Sequence, residues 1–148
     1  MTPVRPALEA GDYPSAAALS HRLAGEGISR QAFVLQAKIL EVDRRVRHTR
    51  HRVTEVHPEA SFAQLAGAPL HSRKSTWAGI AERRHLLTEA GIVLPDDLGP
   101  AGDKAAVDDV LDAAVAAWTA VRVIQDQALA YPDPPEVFSD GLACAIWT

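Results

Sequence analysis

The stretch DDVLDAAVAAWTA, residues 108–120, sets three aspartates at the head of an alanine-rich segment whose apolar residues recur at helical spacing. At about 100° per residue, Val107, Leu111, Ala114, Trp118 and Val121 form one stripe. Asp108 and Asp112 lie on its border and Asp109 farther round. With Asp103 as N-cap, the helix is expected from Lys104 to about Ala130. About 27 residues at ~1.5 Å each make it some 40 Å long, the largest element and the one that spans the core.

Like charges one turn apart repel, so the three carboxylates need an offset. Asp109 and Asp112, three residues apart, can share a divalent ion, because hard cations such as magnesium take carboxylate and water oxygens. The alternative is a solvated face, or acids favoured by the helix dipole. With Asp103 as the cap, Asp109 and Asp112 fall beyond the first turn, where the dipole benefit has faded.

Working outward, residues 15–24 read as a helix halted at GEGIS, and Ser29 reads as the N-cap of a second, over RQAFVLQAKILEVDRRV. Phe33, Ala37, Ile39, Leu40 and Val42 are its expected buried side. The arginine run Arg44, Arg45, Arg47, Arg50 and Arg52 leads into RVTEVHP, the best interior strand candidate, with β-branched Val53 and Val56 and a stop at Pro58. EASFAQLAG follows as a short helix closed by Gly67. KSTWAGIAERRHLLTEAG is another, capped by Ser75 or Thr76 and stopped by Gly91, with Trp77, Ile80, Ala81, Leu86 and Leu87 inward. The tail begins with a proline-rich break at YPDPP and then places two apolar runs around Ser139-Asp140-Gly141, a hairpin turn. Several helices, one interior strand and a terminal hairpin make a helix-rich α/β chain with a reduced sheet.

At 148 residues, 47% of them hydrophobic, the chain is expected to form a single domain over residues 1–148 with a core of its own. The formal charge of −4 conceals a polarity. Residues 1–95 hold thirteen Lys/Arg against nine Asp/Glu, whereas residues 96–148 hold two against ten. The two stretches should attract. A lone cysteine, Cys144, excludes an internal disulfide and a thiolate zinc cluster, and suits a reducing cytoplasm. No apolar run reaches the roughly 20 residues needed to cross a bilayer, so no membrane partner is expected. No nucleophile-elbow pattern supports serine or cysteine catalysis.

In the strand before Pro58, Glu55 and His57 point to one face and Glu59 follows just beyond it. A carboxylate ending a strand beside a helix with two more is a suitable layout for a metal site; a strand end facing water is the plainer alternative. The basic groups Arg73, Lys74, Arg83 and Arg84 suit a polyanionic substrate through phosphate contacts, Lys74 and Arg83 foremost, or else form solvated faces and salt bridges to the acidic C-terminal stretch.

EVHPEASFAQLAG, HSRKSTWAGIAERRHLL, DDVLDAAVAAWTA and GLACAIW, in this order, together with the earlier GISRQAFVLQAKILEVD, resemble domain-of-unknown-function family 429 (DUF429), described as predicted nucleases with an RNase H-like fold. The resemblance runs from about Pro6 onward. It implies Glu55 in the strand position and Asp109 and Asp112 in the helix positions of a catalytic, metal-binding carboxylate set. Asp108, Glu59 and His57 are alternates or neighbours in that set. Two Mg²⁺ (or Mn²⁺) ions would serve phosphodiester hydrolysis of nucleic acid. Family members begin with a hairpin whose first strand carries an aspartate followed by glycine, where this chain has MTPVRPALEAGDYP. The expectation is therefore the C-terminal part of an RNase H-like fold, shortened at its N-terminus, with catalysis weakened by the absent ligand. The competing expectation is a noncatalytic subunit that pairs with a second copy or a partner chain through an exposed sheet edge.

Overall fold

Side-chain caps set the starts of two helices in the first of the two units of the computed structural model, Met1–Val53 and Thr54–Thr148. The structure describes residues 4–49, 52–137 and 141–148. In the first unit α1 (Arg5–Leu8) has a proline in its first turn, the position where a missing N–H costs nothing. Asp12 caps α2 (Tyr13–Ala24) by accepting from the Ser15 N–H at 2.8 Å, and Gly25 ends it in the left-handed conformation. Ser29 caps α3 (Arg30–Val34) as the sequence implies, accepting from the Ala32 N–H at 3.0 Å.

The expected single helix after Ser29 is divided at Leu35, beyond which α4 (Gln36–His48) continues. Phe33, Ile39 and Leu40 pack on the buried Ala7, Leu8, Ala16 and Ile28, whereas Ala37 and Val42 face solvent. The helix against this face of α4, α1, is four residues long and covers only part of it. Asp43 ties the two together, pairing with Arg5 of α1 and with Arg47 one turn on. Arg50 of the arginine run lies outside the described residues.

The second unit opens with β1 (Glu55–Val56), two residues of strand where the sequence suggests a longer one. It continues through α5 (Pro58–Ala66), α6 (Trp77–Glu89), the single turn α7 (Gly99–Gly102), α8 (Val107–Ile124), β2 (Ala130–Val137) and β3 (Ala143–Trp147). The sheet order is β1-β3-β2, with β1 parallel and β2 antiparallel to β3. The fold is thus helix-rich α/β with a reduced, mixed sheet. No helix among the described residues is long and apolar enough to cross a membrane.

Helices α5 and α6 pack on α8 and on each other around Phe62, Leu87, Leu111, Ala114 and Val115. Within this core the Thr119 hydroxyl donates to that of Ser61 at 2.8 Å, so two buried hydroxyls satisfy one another. That bond draws Thr119 inward. The buried stripe of α8 is Leu111, Ala114, Val115, Thr119 and Val123, turned from the expected one so that Val107 and Val121 are exposed.

Further expectations are corrected. Asp103 does not cap the long helix: it closes α7, and α8 starts at Val107 after an extended Ala106 with no side-chain cap. At 18 residues α8 is about 27 Å long, not 40. Trp77 is 87% exposed and Ala81 also faces out, because α6 buries the row Gly79, Arg83, Leu87 on its opposite side. The proline-rich break is strand β2. It lies at the sheet edge, and its three prolines fall between Tyr131 and Glu136, where its register with β3 shifts. The Ser139-Asp140 turn residues lie outside the described residues, and Gly141 has φ 78°.

Candidate functional site

Arg83 organises the segment that carries Lys74. Its side chain is 1% exposed, and each of its nitrogens has an acceptor. Nε and Nη2 donate to the two Glu59 oxygens at 3.1 and 2.6 Å, while Nη1 donates to the carbonyls of Ser72 (3.1 Å) and Gly79 (3.0 Å). The guanidinium also lies 5.5 Å from the centre of the Phe62 ring. A fork of rigid donors is what makes arginine suited to such burial. Gly79 completes the arrangement, because a Cβ there would meet the Arg73 carbonyl oxygen at 1.9 Å. Only glycine lets α6 lie this close to the 73–76 turn. That turn is closed by Thr76, whose hydroxyl donates to the Arg73 carbonyl at 2.8 Å and accepts from the Gly79 N–H at 3.1 Å.

From this anchored turn Lys74 reaches the head of α8. Its ammonium donates to Asp112 Oδ2 at 2.8 Å and lies 3.4 Å from Asp108 Oδ2. The hydrogen bond to Asp112, reinforced by Asp108, holds the Lys74 ammonium above its ordinary pKa. Asp108 and Asp112 are i,i+4 neighbours, so one cation lies against both. Asp112 Oδ1 is buried and has no hydrogen-bond partner.

The structure sorts the residues expected at the site. It brings together Asp108 and Asp112, with Lys74 between them, and separately Glu59 with Arg83. Asp109 is exposed in the first turn of α8, where the helix dipole favours it. Glu55 is exposed on β1, its backbone opposite Ile146. There it acts with Glu136 on Cys144, whose thiol is pushed above its usual pKa by burial first and by these two carboxylates second. His57 caps α5, its Nδ1 accepting from the Ala60 N–H at 3.4 Å. Among the described residues no three His, Cys, Asp or Glu side chains come together where they could hold a metal ion. Arg83, expected as a phosphate-binding group, is buried with its donors engaged by Glu59, Ser72 and Gly79. Arg84 hydrogen-bonds Asp96 at 2.9 Å beside an open cleft of about 280 Å³ lined by Leu94, Leu98, Val107 and Leu111.

The family resemblance makes Asp108 only an alternate, and its pairing with Asp112 has one signal in the sequence. The i,i+4 spacing places these two on the border of the apolar stripe, closest to a neighbouring helix. Lys74 as their counter-ion has only the coarse signal of charge polarity, which offers four basic groups to the acidic C-terminal stretch without choosing among them, since the contact joins residues 38 apart.

Fold and site together define a helix-rich α/β protein with a carboxylate pair on its longest described helix, bridged by a lysine from an arginine-anchored turn. The chain belongs to the family described as Protein of unknown function (DUF429), whose model matches residues 1–137. Neither the curated proteins nor the solved structures contain a match to it.

Proposed function

We propose that this protein is a metal-dependent nuclease of RNase H-like type, hydrolysing phosphodiester bonds with the head of α8 as its carboxylate face. The observation that carries the reading is the convergence of Asp108 and Asp112 on one cation, with Asp112 Oδ1 buried and unpartnered. A single ammonium leaves that oxygen unused. Magnesium is commonly held by one or two carboxylates, with waters and substrate phosphate filling its other positions, so a two-aspartate site fits it. The bound ion, Mg²⁺ or Mn²⁺, would supply an activated water and stabilise charge on the phosphate.

The chain's own groups divide the remaining work. Asp108 and Asp112 offer hard oxygen donors one turn apart, and exposed Asp109 adds negative charge beside them. Lys74, once freed from the carboxylates, has its charge available for a phosphate oxygen. Arg83 and Glu59 hold the turn from which Lys74 projects. Glu55 remains the strand-borne carboxylate of the reading.

The test pairs a nuclease assay on single-stranded, duplex and branched substrates with thermal melting in Mg²⁺ or Mn²⁺. A ligand that prefers the native state raises its stability. The reading requires a metal-dependent rise in melting temperature and cleavage, both abolished in Asp108→Asn/Asp112→Asn. Equal melting responses in wild type and the double variant defeat it.

A second reading has its own observation. Among the described residues β1 pairs on one side only, so its outer edge is open, whereas the other edge strand, β2, carries Pro132, Pro134 and Pro135. Unguarded edges accept further strands and proline-bearing ones do not. In this reading a second copy or a partner chain adds a strand at β1. Sedimentation that finds a monomer at high concentration disposes of the self-pairing form.

A further inference from the structure

Trp77 is the most exposed large apolar side chain of the chain's described residues, at 87%, although an indole normally contributes 150–250 Å² of burial. It is also firmly presented. Thr76, immediately before it, is the N-cap of α6 and is bonded to the Arg73 carbonyl and the Gly79 N–H, while Arg83 holds the Ser72 carbonyl. As the first residue of α6, Trp77 has its Cα–Cβ bond tilted toward the helix N-terminus, the end that carries the Arg73–Lys74 turn. Three Cα–Cα steps separate it from Lys74, a reach of at most about 11 Å. No aspartate or glutamate occurs between residues 60 and 81, whereas His71, Arg73 and Lys74 do.

A solvent-facing indole on an anchored helix start, close in sequence to cations and to the lysine that meets a carboxylate pair, fits one kind of ligand. It is a chain of alternating aromatic faces and anionic links. Stacking requires an open base face, which a paired and stacked duplex base does not offer. We infer that Trp77 is a stacking platform for an unpaired base of single-stranded nucleic acid, with Arg73 meeting the adjacent phosphate. This inference rests on the nuclease reading for its ligand class and narrows it to single strands.

The experiment measures binding without cleavage. Anisotropy of a short fluorescein-labelled oligothymidylate, titrated with the full chain in EDTA, is compared for wild type, Trp77→Phe and Trp77→Ala. The same titration is repeated with a labelled duplex. Melting curves confirm folding, which the exposure of Trp77 favours. Expected are weakening of about tenfold in Trp77→Ala, retention of most affinity in Trp77→Phe, and weaker duplex binding that is indifferent to either change. Undiminished binding by Trp77→Ala overturns the inference, as does absence of oligonucleotide binding by wild type. A dimer that Trp77→Ala dissociates while oligonucleotide affinity is unchanged also overturns it, in favour of a protein contact. Binding that depends on Trp77, with no cleavage in added metal, supports the platform while removing the nuclease reading. Cleavage with no dependence of binding on Trp77 does the reverse.

Discussion

Arg83 and Glu59 form an ion pair of unequal burial, the guanidinium 1% and the carboxylate 40% exposed. Removing the carboxylate strands a buried charge, whereas removing the guanidinium also takes the donor from the Ser72 and Gly79 carbonyls. Glu59→Ala should therefore cost about 3 kcal/mol in urea unfolding, and Arg83→Met at least as much. A negligible loss in both variants would show that Arg83 is not what holds the 72–76 turn. Asp43 supports a second prediction. Hydrogen bonds from Arg47 and then Arg5 lower its carboxyl to about 2 from the usual 3.8. A folded pKa below the unfolded one contributes stability that is complete above the unfolded value and is lost as pH falls through the window toward the folded value. Between about pH 4 and pH 2 the wild type should lose more stability than Asp43→Asn, as read by urea unfolding across that range. Of these residues the sequence shows only the types. That Arg83 faces inward and Trp77 outward inverts the usual polarity rule, and the apolar pattern of α6 is misread because one of its most buried side chains is charged.

Helix α8 starts on Ala106, which offers no side chain to the free N–H groups of the first turn. Ala106→Ser should raise stability by about 1 kcal/mol, seen as a higher urea midpoint with unchanged slope. No gain would mean that those N–H groups are already satisfied. Where capping chemistry and glycine agree, elements are legible in the sequence: Ser29, Thr76, Gly67 and Gly25 mark helix ends that the structure retains. Where the decisive partner is distant in sequence, they are not. The strand β2 runs through three prolines because it lies at the sheet edge and they fall where its register with β3 breaks, and both are tertiary properties. The start of α8 is similarly hidden, because Gly99–Gly102 forms a helical turn of its own that takes Asp103 as its end.

Across the whole molecule, the charge polarity of the sequence finds a structural counterpart in Lys74 with Asp108 and Asp112, and in Arg84 with Asp96, basic groups before residue 95 meeting acidic groups after it. The carboxylates of the site are legible in the sequence as an unusual cluster; which basic group pairs with them is not, and that pairing decides how a metal would have to bind. Lys74 and a divalent ion would compete for the same two aspartates, so the lysine acts as an internal ligand whose removal exposes the site. Lys74→Gln should melt lower than wild type in EDTA, with Asp108 and Asp112 repelling one another unshielded. It should gain more from added magnesium, approaching about 2.7 kcal/mol at a hundred times the dissociation constant, while its cleavage falls if the lysine contacts phosphate. Adding Asp112→Asn to Lys74→Gln should cancel the extra gain, because the shared oxygen donor is gone. If magnesium stabilises wild type and Lys74→Gln equally, the ion does not bind where the lysine does. The carboxylates of α8 are then a salt-bridge partner and nothing more.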